Sequence, residues 1–424
     1  MTWLFLLFAL ACGWLSYNLY HPVYRHTYGA SVSFVFGLLA GELAPHVIAL
    51  QVLITALFAA FGALSGLAGT VGLVVMLAAW TAMAVHYGSS MRLPGLLRNS
   101  LERDLGPNYR DAITQPPRNT IDRRALLRPL ASMIKSTEYH PEVECLKNII
   151  FHRSNGLNLK LDIRRPRSVT SPRPVLLQIH GGAWTYKLGS KDRQALPLMN
   201  HLAAHGWVCV AISYRLSPLA TFPDHIIDCK RALAWVKTHI AEYGGDPDFI
   251  LATGGSAGGH LSALLALTPN QTQWQPGFEG ADTRVQGCIP FYGIYDFCNS
   301  NRQQLNNGLE SWLERMVIKS PTQESPDTYR LASPIVHVHP QAPPFFVIQG
   351  DTDTLVPAAE GRHFVDALRA VSKQPVVYAE IPRAQHAFDL FPSLRTQRVV
   401  HAVEEFADWV YAGHRRETGA GTRT

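Results

Sequence analysis

Charge is what the first part of this sequence lacks. Between Met1 and Met91 the only Lys or Arg is Arg25, and the only acid is Glu42. So little charge over so long a run disfavours a soluble helical domain and reads as membrane sequence. A cleaved signal peptide is disfavoured too, because no basic residue precedes the first apolar run and more apolar sequence follows it. The six cysteines (12, 145, 209, 229, 288 and 298) form no CxxC pair and no ligand spacing, so they read as free thiols. No glycine-rich phosphate loop with its lysine is present, and no dinucleotide fingerprint. His337 and His339 alternate as two ligands on a strand face would, but no third ligand lies near them. No cofactor and no metal are therefore expected. Neither internal repeats nor low-complexity segments stand out.

What is present before Met91 is three apolar blocks, at residues 3–20, 31–64 and 66–87. A span needs roughly 20 apolar residues, and the middle block is broken by Glu42, Pro45 and His46. The expectation is a bundle of three or four transmembrane helices over residues 1–91. Glu42 and His46, four residues apart, read as lying at an interfacial turn between two short helices. Residues 92–144 follow as a basic juxtamembrane linker, with eight arginines against four acids between Arg92 and Arg128. That excess predicts the cytoplasmic face of the cell membrane and anionic lipid headgroups as partners. Nucleic acid is not expected, since neither aromatic interleaving nor a recognisable module accompanies the charge.

From about residue 145 the pattern changes to short apolar strands alternating with helices. KNIIFHR and LNLKLDIR flank Ser154, Asn155 and Gly156, a hairpin signal. PVLLQIH, WVCVAIS, FILATGG, VQGCIPFYG, PFFVIQG and PVVYAEI follow as strands. Helices are expected near 191–205, 224–242, 256–267, 357–371 and 395–412. This alternation predicts an α/β fold with a mostly parallel, doubly wound sheet over 145–412, ligands binding beyond the carboxyl ends of the strands. Residues 296–330 form a variable stretch that could be a cap, and 413–424 a flexible tail.

The chemistry concentrates at three places. Gly254-Gly255-Ser256-Ala257-Gly258 is G-x-S-x-G between a predicted strand and a predicted helix, the setting that lifts a serine hydroxyl above the sheet. His180-Gly181-Gly182-Ala183-Trp184 follows a strand upstream, and its two glycines let backbone N–H groups approach a reacting carbonyl. An acid and then a histidine should follow the serine. Gly350-Asp351-Thr352-Asp353 offers two acids, and Gln385-His386-Ala387-Phe388 places a histidine after the last strand.

On these motifs, residues from about 145 to 412 resemble α/β-hydrolase carboxylesterases of the hormone-sensitive-lipase type, and within it the mycobacterial membrane-associated esterases and lipases. The resemblance implies Ser256 as nucleophile, Asp353 (by its G-x-x-D spacing) as the acid, His386 as the base, and Gly181, Gly182 and Ala257 as oxyanion donors. Tyr214-Arg-Leu-Ser-Pro218 with Phe222-Pro223 is similar to another segment of that family. Two positions depart from it: Gly255, where many relatives carry an acid, and Ala387, where glycine is usual. The same constellation occurs in arylformamidases and isoprenylcysteine methylesterases, which AEYGGDPDFI resembles. The expected function is a membrane-anchored serine hydrolase cleaving carboxylic esters or lipids, with an arylformamidase-like amidase, a prenylcysteine-type methylesterase and a non-catalytic membrane scaffold as alternatives. With no catalytic constellation among residues 1–91, the two parts should divide cleanly into anchor and enzyme.

Overall fold

The computed structural model describes residues 1–113, 120–127, 129, 140–154, 156–168, 172–186 and 188–419. The helices before the sheet are α1 (Thr2–Asn18), α2 (Thr27–Glu42), α3 (Ala44–Ala60), α4 (Gly66–Gly88), α5 (Leu93–Leu105) and the short α6 (Arg123–Leu127). Then come β1 (Val143–Ser154), β2 (Leu157–Pro166), β3 (Arg173–Ile179), α7 (Leu196–Ala204), β4 (Val208–Ile212), α8 (Asp224–His239), β5 (Gly245–Gly255) and α9 (Ala257–Leu267). The chain finishes with β6 (Gly287–Phe291), α10 (Gly308–Trp312), α11 (Pro326–Ala332), β7 (Phe345–Gly350), α12 (Ala358–Val371), β8 (Val376–Ile381) and α13 (Leu394–Glu417).

Eight strands form one sheet in the order β1-β2-β4-β3-β5-β6-β7-β8. β1, β2 and β4 pair antiparallel, and every neighbour from β4 to β8 is parallel. The central strands are short aliphatic runs buried on both faces, as a sheet covered by helices on each side requires. Alternate residues of β3 feed opposite cores. Val175, Leu177 and Ile179 pack with α8, α9 and α12, whereas Leu176 packs with α5, α7 and α13. The hairpin turn expected at 154–156 has its middle residue, Asn155, outside the described residues.

Four expectations change. Where the sequence predicts three or four spans, one continuous helical stretch among the described residues, Gly66–Leu105, is long and apolar enough to cross a bilayer. α2 and α3 would qualify only as a pair, and they bend by 89° at their junction; α1, at 17 residues, is short. Residues 93–105 are no free linker either. α5 buries Leu93, Leu97 and Leu101, one helical turn apart, in the core that α13 also lines. Arg98, Arg103 and Arg110 are paired with Glu102, Asp104 and Glu405, while Arg118 and Arg128 lie outside the described residues. The helix expected near 191–205 begins only at Leu196, with Pro197 in its first turn. The last helix runs on through the expected tail to Glu417, its final turn carrying His414, Arg415 and Arg416, which suit the negative end of the helix dipole.

Glu42 ends α2 at the bend. It does not pair with His46. It is buried against α13, which covers the sheet, forming an ion pair with Arg395 and accepting from Ser393 Oγ at 2.5 Å. His46 Nε2 instead lies 3.4 Å from the Leu127 carbonyl.

Candidate active site

β5 delivers the serine. Ser256 stands between β5 and α9 with φ 58° and ψ −121°, a left-handed conformation that costs a non-glycine residue energy and survives only where neighbours over-determine it. Those neighbours are close. A Cβ on Gly254 would stand 2.4 Å from the Gly258 carbonyl oxygen, and one on Gly258 would stand 2.0 Å from the Ile179 oxygen. The Ser256 N–H donates to the Phe291 carbonyl at the end of β6, 3.0 Å away.

The HGGAW loop is fixed on both sides. His180 is buried, its Nδ1 is 2.8 Å from the Gly181 carbonyl, and its ring stacks on Tyr214 at 4.5 Å. Burial holds that imidazole down at about 4, so it is neutral. Trp184 Nε1 donates to His260 Nδ1 at 3.2 Å, and His260 Nε2 contacts the Ala332 carbonyl at 2.7 Å. Burial keeps His260 neutral as well, at about 4. The last residue of GGSAGGH thus ties the serine's helix to the loop of HGGAW.

The three expected backbone donors differ in their surroundings. Gly181 N–H donates to Gln194 Oε1, a partner that no motif signals. Gly182 adopts φ 105°, and Ala257 is the first residue of α9. The carbonyl of Ala183 accepts from Trp312 Nε1 at 3.1 Å, so the variable stretch at 296–330 reaches over this loop.

Acid and histidine meet across the ends of β7 and β8. His386 Nδ1 is 2.7 Å from Asp353 Oδ2. Asp353 is fully buried, and its Oδ1 accepts from the amides of Leu355 and Val356 at 2.9 and 2.8 Å. Gln349 Nε2 supplies a further donor to Oδ2 at 3.1 Å. Gln385 Oε1 couples the two loops, accepting from Thr354 N at 2.8 Å and His386 N at 2.9 Å. Asp351, the other candidate, points elsewhere: its Oδ1 takes the amide of Arg383.

Tyr292 joins the two halves. Its ring lies 4.6 Å from that of His386, and its hydroxyl occupies the space a Gly255 side chain would need, 2.6 Å from an added Cβ. The same hydroxyl donates to Asp389. A side chain at Gly255, an acid included, would therefore collide with Tyr292. At the second departure, Ala387 sits at φ 57°, a conformation that favours glycine.

One wall comes from outside the sheet domain. Phe34 of α2 packs edge-on against the His386 ring with centroids 5.9 Å apart. Thr354 Oγ1 donates to the Ala30 carbonyl at 2.9 Å. Leu38 and Leu43 pack with Leu390 and Phe391 just beyond the histidine. The clean division between anchor and enzyme does not hold, because α2 touches the histidine itself.

A family model described as BD-FAE matches residues 161–368. The chain is 58% identical over 263 residues to the probable carboxylic ester hydrolase LipM of Mycobacterium tuberculosis, a match spanning 62% of this chain and 60% of that protein. It is 42% identical over 327 residues to esterase LipQ of the same organism, spanning 76% of each. Among solved structures, an esterase of Thermogutta terrifontis with propionate bound superposes with a TM-score of 0.53 at 25% identity, covering 63% of this chain and 93% of that one. Over the sheet, the G-x-S-x-G turn and most of LipQ's length, this chain belongs to the α/β-hydrolase carboxylesterases of the hormone-sensitive-lipase type.

Proposed function

We propose that this protein is a membrane-associated serine esterase that works through an acyl-enzyme. The observation that carries the reading is the buried Asp353–His386 pair, held beside Tyr292, the residue that Gly255 of the Ser256 turn also packs against. With Nδ1–H given to Asp353, His386 Nε2 carries the lone pair and serves as base. Ser256 Oγ attacks the ester carbonyl as its proton passes to Nε2. The tetrahedral oxyanion takes N–H bonds from Gly182 and Ala257, and from Gly181 where Gln194 releases it; one such donor is worth about 2.7–4 kcal/mol in the transition state. The His386 proton then leaves with the alcohol, and water, activated by the same nitrogen, attacks the acyl-enzyme and returns Ser256.

Apolar side chains exposed on α1, α3 and α4 and at the end of α3 support placement at a bilayer. Leu7, Leu53, Phe61 and Leu67 are each more than half exposed, and exposed apolar side chains in number mark surfaces that meet a membrane or a partner. The reading puts the chain in the cell membrane with its sheet domain on the cytoplasmic side, and α2 lies between that membrane part and the reacting groups. Esters with an apolar acyl part, drawn from the lipid phase, suit such a mouth.

The test is a substrate comparison on the purified full chain in detergent. p-Nitrophenyl esters should turn over and N-formyl aryl amides should not. Preferential cleavage of the amides would replace the esterase reading with an amidase, and no turnover of either would leave a scaffold.

A further inference from the structure

Away from Ser256, α7 packs on α13, and three side chains with metal-ligating atoms converge between them. His201 and His205, four residues apart, project from the same side of α7 and its C-terminal end. Both reach Glu404 of α13: His201 Nε2 is 2.8 Å from Oε2, and His205 Nδ1 bonds Oε1. The ligating atoms of all three lie within 4.8 Å of one another. One turn earlier on α13, His401 stands with its ring centroid 5.2 Å from that of His201.

His401 supplies an independent observation. It is only 4% exposed, yet among the described residues its Nδ1 has no hydrogen-bond partner. A buried polar atom left this way costs about 1–3 kcal/mol. It lines a cavity of about 220 Å³ whose wall also includes His140, Asn200, His201, His205 and Gln397. A hydrogen-bonded His–Glu–His clamp accounts for three of these side chains and leaves the fourth unexplained.

We propose that His201, His205 and Glu404, with His401 beside them, bind a divalent transition ion of the zinc type. Nitrogen-rich sets of this kind select zinc over magnesium or calcium, which want oxygen. Tetrahedral ligand atoms at about 2.0–2.1 Å from zinc stand about 3.3 Å apart, so small side-chain rotations suffice. The ion would cross-link two helices whose leading ends matter to the site: Gln194, which takes Gly181 N–H, lies just before α7, and the His386 loop lies just before α13. It would therefore act as a structural clamp rather than a catalyst.

The full chain in detergent, freed of any affinity tag and stripped with EDTA, is dialysed against zinc or cobalt chloride, and bound metal is counted by mass spectrometry. The site predicts about one zinc per chain and a thermal midpoint that rises with metal and falls back with EDTA. Cobalt should give the intense visible absorption of a four-coordinate ion, a readout that needs no variant. His205→Ala should weaken binding by more than the roughly 10–100-fold typical of losing an outer partner. Glu404→Gln, which keeps the size and one acceptor, should do the same while its EDTA-state midpoint reports that it folds. Zinc uptake equal in the stripped wild type and Glu404→Gln, or cobalt bound without that absorption, overturns the proposal.

Discussion

Phe34 of α2 packs against the ring of His386 with centroids 5.9 Å apart and planes at 77°. A helix from the apolar N-terminal part thus braces the imidazole that the mechanism asks to move protons. Phe34→Ala should lower kcat on p-nitrophenyl acetate by about tenfold, since small misplacements of a reacting group are costly. KM should change less. An unaltered kcat in the folded variant would return α2 to a purely anchoring role.

Asp353 and Asp351 differ by two residues and by what they hold. Asp353 meets His386 Nδ1, while Asp351 takes the amide of Arg383. Asp353→Asn should reduce kcat on the order of 10⁴-fold by favouring the wrong tautomer. Asp351→Asn should stay within about tenfold, as loss of a turn hydrogen bond implies. The reverse ranking, at equal stability, would move the acid to Asp351.

Gln194 tests how the HGGAW loop is positioned. Gln194→Ala removes the acceptor of Gly181 N–H and should lower kcat by about tenfold with little change in KM. Gln194→Glu keeps an acceptor at the same reach and should recover most of that loss. Equal kcat in all three proteins would show that this bond does not hold the loop.

Stability should depend on pH through Glu360 at the start of α12. Its carboxylate accepts from the amides of Tyr295 and Asp296 at 2.8 and 2.9 Å and from Gln304 Nε2 at 2.9 Å. Burial nevertheless pushes it up from 4.5 to about 7. The folded chain holds this proton more tightly than the unfolded one, so stability falls as pH rises between about 4.5 and 7, by on the order of 3 kcal/mol. Glu360→Gln should flatten that part of the profile, read from denaturant midpoints across the range. A variant slope equal to the wild type's would contradict the assignment.

What could be read from the sequence was local. The strands of the sheet are short aliphatic runs, and their alternation with helices predicts the parallel order observed from β4 to β8. G-x-S-x-G, HGG and the G-x-x-D and His-Ala-Phe loops carry their geometry in adjacent residues, so Asp353 and His386 could be placed before their 2.7 Å contact was known. Phe34, Gln194 and Tyr292 could not be. Each acts on residues distant in the chain, and a phenylalanine in an apolar helix looks the same whether it faces lipid or an imidazole. The number of spans was not legible for a related reason, because composition cannot show that α2 turns 89° into α3 or that Glu42 reaches Arg395. His201 and His205 did leave a signal, a four-residue spacing in a predicted helix, but Glu404 and His401 join them only through packing.

The central claim is that Ser256 forms the acyl-enzyme, and covalent labelling addresses it most directly. Wild-type protein and Ser256→Ala, both shown to be folded by circular dichroism, are treated with a fluorophosphonate and weighed intact, then digested to locate the adduct. The mechanism predicts a single adduct on Ser256 in the wild type, none in Ser256→Ala, and loss of ester turnover in parallel with labelling. An adduct on another residue, or undiminished labelling and turnover in Ser256→Ala, would contradict it.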